Sequence, residues 1–158
     1  MSSIKIKNFT IDNDRPFTLV AGLNVLETEE ITEQVISECI SVSKELGIPY
    51  IFKASYDKAN RSSIDSYRGP GIEKGMQILS DLKHKYDVPI ISDVHNEEEV
   101  EFAKDVLDII QIPAFLCRQT DLVGRIAKSG VPVNIKKAQF MSPTDIENVI
   151  NKFKSYGN

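Results

Sequence analysis

Three short apolar runs in this chain each follow a branched aliphatic residue and a proline: Ile48-Pro49, Val88-Pro89 and Val131-Pro132. A proline has no N–H to give to a ladder, so a sheet tolerates it at the first residue of a strand. The runs behind these prolines, such as Tyr50-Ile51-Phe52 and Ile90-Ile91, are continuously apolar, the pattern of strands buried on both faces. The interval from Pro49 to Pro89 is nearly repeated from Pro89 to Pro132, with one unmarked strand inside the second. Helical stretches fill the gaps. Such alternation restricts the chain to a parallel sheet joined by right-handed crossovers.

In order, Ile4, Ile6, Phe9 and Ile11 alternate with polar residues and Asp12-Asn13-Asp14 offers a turn. A short hairpin within residues 1–16 is therefore expected to feed a first buried strand, Phe17 to Asn24. The first helix opens with Thr28 as N-cap and Glu29 and Glu30 in its first turn. Ile31, Val35, Cys39, Val42 and Leu46 form its apolar stripe, Gly47 closes it, and Cys39 reads as core filler. The second strand is Tyr50 to Ser55. A helix with Ile72, Met76, Leu79 and Tyr86 on one side stops near Asp87-Val88-Pro89. The third strand, Ile90 to Val94, leads through His95 to an acidic helix start, Asn96-Glu97-Glu98-Glu99. The fourth strand, Asp108 to Ile112, reaches Pro113 and a loop, Ala114 to Gln119. A helix from about Asp121 to Lys128, closed by Gly130, precedes the fifth strand, Val131 to Ile135. In the last helix Ser142 is the expected cap, Pro143 suits the first turn and Asp145 holds the capping-box position. Ile146, Val149, Ile150 and Phe153 make its buried face, Gly157 ends it, and another strand is expected to begin at Asn158.

The loop from Lys53 to Ser63 carries Lys53, Lys58 and Arg61 among Ser and Asn side chains, with Asp57 its only anion. Such groups suit phosphate or carboxylate oxygens, and the loop leaves the end of a strand, where α/β folds hold ligands. An ordinary solvated loop is the competing reading. Polar residues close the other strands too: Asn24, Asp93 and His95, Gln111, Asn134 and Lys136. In a parallel sheet these share one rim. Of Lys136 and Lys137, alternation sends one toward the rim and the other toward the helices.

Composition narrows the ligand class. With 158 residues, 41% hydrophobic and 27% charged, the chain is expected to form one soluble domain, 1–158. No apolar run approaches the ~20 residues of a membrane span, and Met1-Ser2-Ser3-Ile4-Lys5 lacks a signal peptide's apolar core. Cys39 and Cys117 make no disulfide framework, which suits a reducing cytoplasm. A net charge of -4 argues against nucleic acid. Local basicity in an acidic chain points to small anionic ligands.

Some residues carry less than they suggest. Asp93 and His95 could ligate metal from one strand face, but two ligands are too few and His84 lies in a charged helical patch; no metal and no cofactor are expected. Gly69-Pro70-Gly71 precedes a helix as phosphate cradles do, yet reads better as punctuation. Arg118 and Arg125 read as surface charges. By length, five βα units fit a flat doubly wound sheet, while the hairpin suits the bottom of a (β/α)₈ barrel. A receiver-like flat domain would want an acidic cluster where Leu23 and Asn24 stand.

Several stretches carry a resemblance: Phe52-Lys53-Ala54-Ser55, Asp57-Lys58-Ala59-Asn60-Arg61-Ser62-Ser63, Ser66-Tyr67-Arg68-Gly69-Pro70-Gly71, Asp93-Val94-His95, Pro113-Ala114-Phe115 and Arg118-Gln119-Thr120-Asp121-Leu122. Asn134, Lys136-Lys137, Gln139-Phe140 and Ser142-Pro143 continue it along the whole chain. In these the chain resembles the 3-deoxy-D-manno-octulosonate 8-phosphate synthase family, for which Lys-Ala-Asn-Arg-Ser-Ser is particular.

The resemblance implies a cytoplasmic homotetramer of (β/α)₈ TIM barrels that condenses phosphoenolpyruvate with D-arabinose 5-phosphate, releasing phosphate, in lipopolysaccharide biosynthesis. It implies that Lys53, Ser55, Lys58 and Gln111 bind the phosphoenolpyruvate carboxylate. Lys136 and the backbone N–H of Ala114 would hold its phosphate. Asn60 and Asp93 would meet the sugar, and Arg61, Ser62 and Phe115 its phosphate, partly in a neighbouring subunit. Asn24, Lys58, Asp93 and Lys136 are the implied catalytic residues. Asn24 stands where metal-dependent members carry Cys, so the metal-independent form is implied. The family's last three strands have no counterpart, so the expected architecture is the N-terminal hairpin and the first five βα units, a C-terminally truncated barrel. An inactive or split-enzyme piece acting only as a phosphosugar-binding or interaction module is the alternative.

Overall fold

A computed structural model of the chain describes residues 3–157; the first two residues of the hairpin region and the strand expected from Asn158 lie outside them. The chain divides into two compact units, Met1–Ser92 and Asp93–Asn158.

In the first unit, β1 (Ile4–Ile6) and β2 (Phe9–Ile11) form an antiparallel hairpin with Ile6 opposite Phe9. The hairpin turn is thus Lys7-Asn8, not the expected Asp12-Asn13-Asp14. Lys7 takes a left-handed φ of 45°, which lets both strands fit inside what alternation alone reads as one extended run. Asp12 instead folds a local turn of its own, its side chain accepting from the Asp14 N–H at 3.0 Å.

β3 (Leu19–Gly22), β4 (Tyr50–Lys53) and β5 (Ile90–Asp93) follow as parallel neighbours, Leu19 opposite Tyr50 and Phe52 opposite Ile90. Tyr50, Ile51 and Phe52 are buried, as a central strand requires. β3 is shorter than expected and only half-buried, with Phe17 and Val20 exposed, because it pairs on one side only.

α1 (Glu29–Glu45) starts at the expected cap, the Thr28 Oγ1 accepting from the Ile31 N–H at 3.3 Å. Its buried side is Thr32, Ile36 and Ser43, so the expected stripe is rotated: Ile31, Val42 and Leu46 are exposed and Cys39 is half-buried. Small hydroxyl residues let a helix lie close to a sheet, and the Thr32 hydroxyl donates to its own helix at the Thr28 carbonyl, 2.7 Å away. α2 (Ile72–Tyr86) buries Gly75, Met76, Leu79 and Leu82. Tyr86, expected on that face, turns its hydroxyl to Glu33, which Lys85 also reaches at 2.8 Å.

The second unit opens with Asp93, the last residue of β5, and continues through α3 (Glu97–Ala103) and β6 (Ile109–Ile112). A 3-10 turn (Ala114–Leu116), α4 (Thr120–Lys128), β7 (Val133–Ile135) and α5 (Ile146–Ser155) complete it. β6 and β7 are parallel, Gln111 opposite Asn134. Before α5 the Ser142 N–H donates to Asp145 Oδ2 at 3.3 Å, one arm of a capping box. The Ser142 hydroxyl pairs with Thr144 instead of completing the box, and the helix proper begins later than expected, at Ile146. Val149 and Phe153 are buried, whereas Ile150 is exposed: α5 covers its unit with a narrower stripe than its composition suggests.

The strands are ordered β3-β4-β5-β6-β7, an α/β fold with a parallel five-strand sheet. Among the described residues no closed barrel is seen. No helix among the described residues is long and apolar enough to cross a membrane.

Candidate active site

In the first unit the strand β4 ends at Lys53, and two residues on Ser55 is wholly buried. The Lys53 Nζ and the Lys58 Nζ both donate to the Ser55 hydroxyl, each at 2.8 Å. Two ammonium groups sharing one acceptor repel each other, by about 3 kcal/mol for charges roughly 5 Å apart at an effective dielectric of about 20. An anion seated between them would remove that cost. The loop's only carboxylate does not do so: Asp57 is turned to Arg68, whose Nε donates to Oδ1 at 2.8 Å and whose second nitrogen reaches Oδ2.

Backbone packing holds this cluster. Tyr56 is buried beneath the loop, and the Lys58 N–H donates to the Arg68 carbonyl at 2.7 Å, tying the two limbs together. Gly69, at φ 121°, lies so close to the Tyr56 carbonyl that a Cβ would collide with it, and a Cβ on Gly75 would strike the Tyr56 side chain. Gly69-Pro70-Gly71 is therefore structural, as expected, the Gly71 N–H donating to the Tyr56 carbonyl at 3.2 Å. Asn60, Arg61 and Ser62 are exposed and not drawn into the Lys53–Ser55–Lys58 group; Arg61 Nε donates to the Tyr67 carbonyl at 3.2 Å. Asn24, past the end of β3, is exposed as well.

In the second unit Asp93 is nearly buried, and its Oδ2 lies 3.2 Å from His95 Nε2. On the other edge of the ring, Nδ1 lies 3.3 Å from Glu99 Oε2, which also accepts the His95 backbone N–H at 2.6 Å. Burial weighs against a charged imidazole, but the hydrogen bonds with Asp93 and Glu99, and their charges, push the His95 pKa up to about 9. At neutral pH it is an imidazolium held between two carboxylates. Among the described residues no group of three or more His, Cys, Asp or Glu could hold a metal ion. The arrangement of this trio is one of mutual bonding.

Gln111, buried on β6, accepts from Asn134 Nδ2 at 3.1 Å on β7. Lys136 and Lys137 separate in role: Lys137 Nζ is committed to the Ala138 and Met141 carbonyls at 2.8 and 2.9 Å, while Lys136 is an exposed side chain just past β7. Ala114 begins the 3-10 turn behind β6, and Phe115 beside it is 57% exposed. Of the surface charges, Arg118 is exposed and Arg125 pairs with Glu101 at 2.5 Å.

The sequence reading missed two partners. Glu99 passed as part of an acidic helix start, although its place four residues after His95 is a spacing at which side chains meet. Arg68 passed as part of a Gly-Pro punctuation, because its partner Asp57 is eleven residues away across a loop.

A 2-dehydro-3-deoxyphosphooctonate aldolase of Aliivibrio fischeri (strain MJ11) is 53% identical over 156 residues, covering 99% of this chain and 55% of that protein. Proteins of the same name from Marinobacter nauticus and Vibrio atlanticus are 54% and 52% identical, covering 99% of this chain and 56% and 55% of their own lengths. The chain thus spans about half the length of the curated relatives it matches. The DAHP synthetase I family matches from residue 2 to residue 158, and the chain belongs to that family.

Proposed function

We propose that this chain serves the condensation of phosphoenolpyruvate with D-arabinose 5-phosphate and water, giving 3-deoxy-D-manno-octulosonate 8-phosphate and inorganic phosphate. The observation that carries the reading is the pair of ammonium groups, Lys53 and Lys58, on one buried Ser55 hydroxyl at the end of β4. Such a cluster suits an anionic group, and relatives of the chain bear the name of the aldolase for that product.

On this reading Lys53, Ser55, Lys58 and Gln111 take the phosphoenolpyruvate carboxylate, with Lys136 and the Ala114 N–H on its phosphate. Asn60 and Asp93 take the sugar, and Arg61, Ser62 and Phe115 its phosphate. The vinyl carbon of phosphoenolpyruvate bonds to the sugar aldehyde, water adds to the carbon bearing the phosphate, and the C–O bond to phosphate breaks. Negative charge develops on the aldehyde oxygen, which takes up the proton that the adding water gives up, and on the departing phosphate. Lys58 and Lys136 would offset it as fixed cations, and Asn24 and Asp93 would orient the reacting hydroxyl and water; holding two anions together supplies much of the rate. On this reading Asn24, standing where metal-dependent members carry Cys, makes the chain one of the metal-independent form. The finer architecture that goes with this reading is the hairpin and first five βα units of a (β/α)₈ barrel, residues 1–158 being one domain, in a cytoplasmic homotetramer.

Phosphate release from phosphoenolpyruvate that depends on arabinose 5-phosphate and is indifferent to a chelator is the expected result. Binding of arabinose 5-phosphate without turnover would make the chain a phosphosugar-binding module. Failure to bind either substrate would overturn the reading.

A further inference from the structure

We infer that Glu99 is a positioning residue, which fixes the His95 ring and through it sets the orientation in which Asp93 meets a sugar hydroxyl; the inference rests on the assignment of Asp93 to the sugar. A chain of hydrogen bonds leads to it. Asn96, the N-cap of α3, accepts the Glu99 N–H on its side chain at 3.0 Å, which anchors Glu99 in the first helical turn. From there one carboxylate oxygen, Oε2, grips His95 twice, through the backbone N–H at 2.6 Å and at Nδ1 at 3.3 Å. The far ring nitrogen, Nε2, meets Asp93 Oδ2 at 3.2 Å. Side-chain exposures of 16% for Glu99, 14% for His95 and 8% for Asp93 leave little water to screen or replace these bonds.

The chemistry follows from the torsion that the clamp restrains. The last torsion of a histidine is broad and roughly two-fold, so an imidazole gripped at one edge only is free to turn over. Gripped at both edges by acceptors, and donating from both nitrogens, it has one orientation. Asp93 then keeps a charged donor on one oxygen, and its plane is set before any sugar arrives.

The test uses the full chain with Glu99→Gln, which keeps an acceptor for the His95 N–H and removes the charge, and Glu99→Ala, which removes both. Glu98→Gln, at the exposed neighbouring position, is the control. The chain has two histidines, so the His95 ring nitrogens can be followed by NMR without ambiguity once His84 is substituted. The expected result is a His95 pKa lowered in both Glu99 variants and D-arabinose 5-phosphate affinity weakened about tenfold, as for loss of one charge-assisted hydrogen bond, with phosphoenolpyruvate affinity unchanged. Sugar-phosphate affinity equal to that of the parent in both variants would overturn the inference alone. A parent chain that binds no arabinose 5-phosphate, with the ring signals still responding to Glu99→Gln, would overturn the substrate reading and the assigned role together. Should Glu99→Ala not fold, Glu99→Gln carries the comparison.

Discussion

The two polar clusters of this protein are built on opposite electrostatic plans. In the first unit two lysines converge on a neutral hydroxyl while Asp57, the carboxylate of the same loop, is bonded to Arg68, so two cations are gathered at one strand end. In the second unit two carboxylates converge on a histidine that becomes charged to match them. The first cluster places like charges together and is held by packing around Tyr56. The second is tied together by hydrogen bonds among its own side chains. The difference teaches how to tell the two apart: like charges gathered on one hydroxyl at the end of a buried strand suit an anionic ligand, and opposite charges bonded to one another suit a scaffold.

That contrast can be broken experimentally. The largest effect is expected from Gly75→Ala, whose new Cβ would strike the Tyr56 side chain under the loop. Overpacking of this kind costs about 3 kcal/mol when the struck atoms cannot move; thermal or urea unfolding measures it, and an unchanged melting temperature would show that the loop does not depend on Tyr56. Next is Lys58→Ala, expected to weaken phosphoenolpyruvate binding about 10- to 100-fold, the equivalent of one hydrogen bond to a charged group. Calorimetric titration reads the affinity, and the melting temperature should hold or rise because a like-charge contact is removed. A drop in stability would mean that the first cluster is a scaffold too.

The second cluster predicts a pH effect. The folded pKa of His95, about 9, is raised above its ordinary value of 6.5. Its stabilisation is therefore fully present below pH 6.5 and is lost as pH rises through 9. Melting curves at pH 6.5 and pH 9.5 should differ more for the parent chain than for His95→Gln. Equal pH dependence in the two would remove the imidazolium from the account. The smallest effect belongs to Arg68→Ala: its ion pair with Asp57 is half-exposed on the arginine side, and such pairs contribute about 1 kcal/mol or less. The informative readout is phosphoenolpyruvate affinity, expected to fall a few-fold as Asp57 is released beside Lys58.

Much of the fold was legible because its signals are local. A proline before an apolar run marks a strand start through the missing N–H, and Thr28 caps α1 through an oxygen three residues from its partner. Lys53, Ser55 and Lys58 were legible as a group because they lie within six residues of one another on a strand end and its loop. Burial was less legible. Hydropathy put Ile31, Val42 and Leu46 inside, where the structure exposes them, and gave no sign that Thr32 and Ser43 are buried. A hydroxyl that bonds its own helix, or is small enough to lie against a sheet, carries no apolar signal. The hairpin turn was misplaced for a similar reason: Lys7 has no side chain that announces a left-handed φ.

The residue order alone determined the strand–helix alternation, the caps and the cationic loop, all set by chemistry within a few neighbouring positions. Only tertiary packing decided which side of α1 is buried, that Asp57 belongs to Arg68, and that Glu99 and Asp93 hold one imidazolium between them. Those outcomes depend on which groups the fold brings within hydrogen-bond reach and shields from water, and neither distance nor burial is written in any local run of residues.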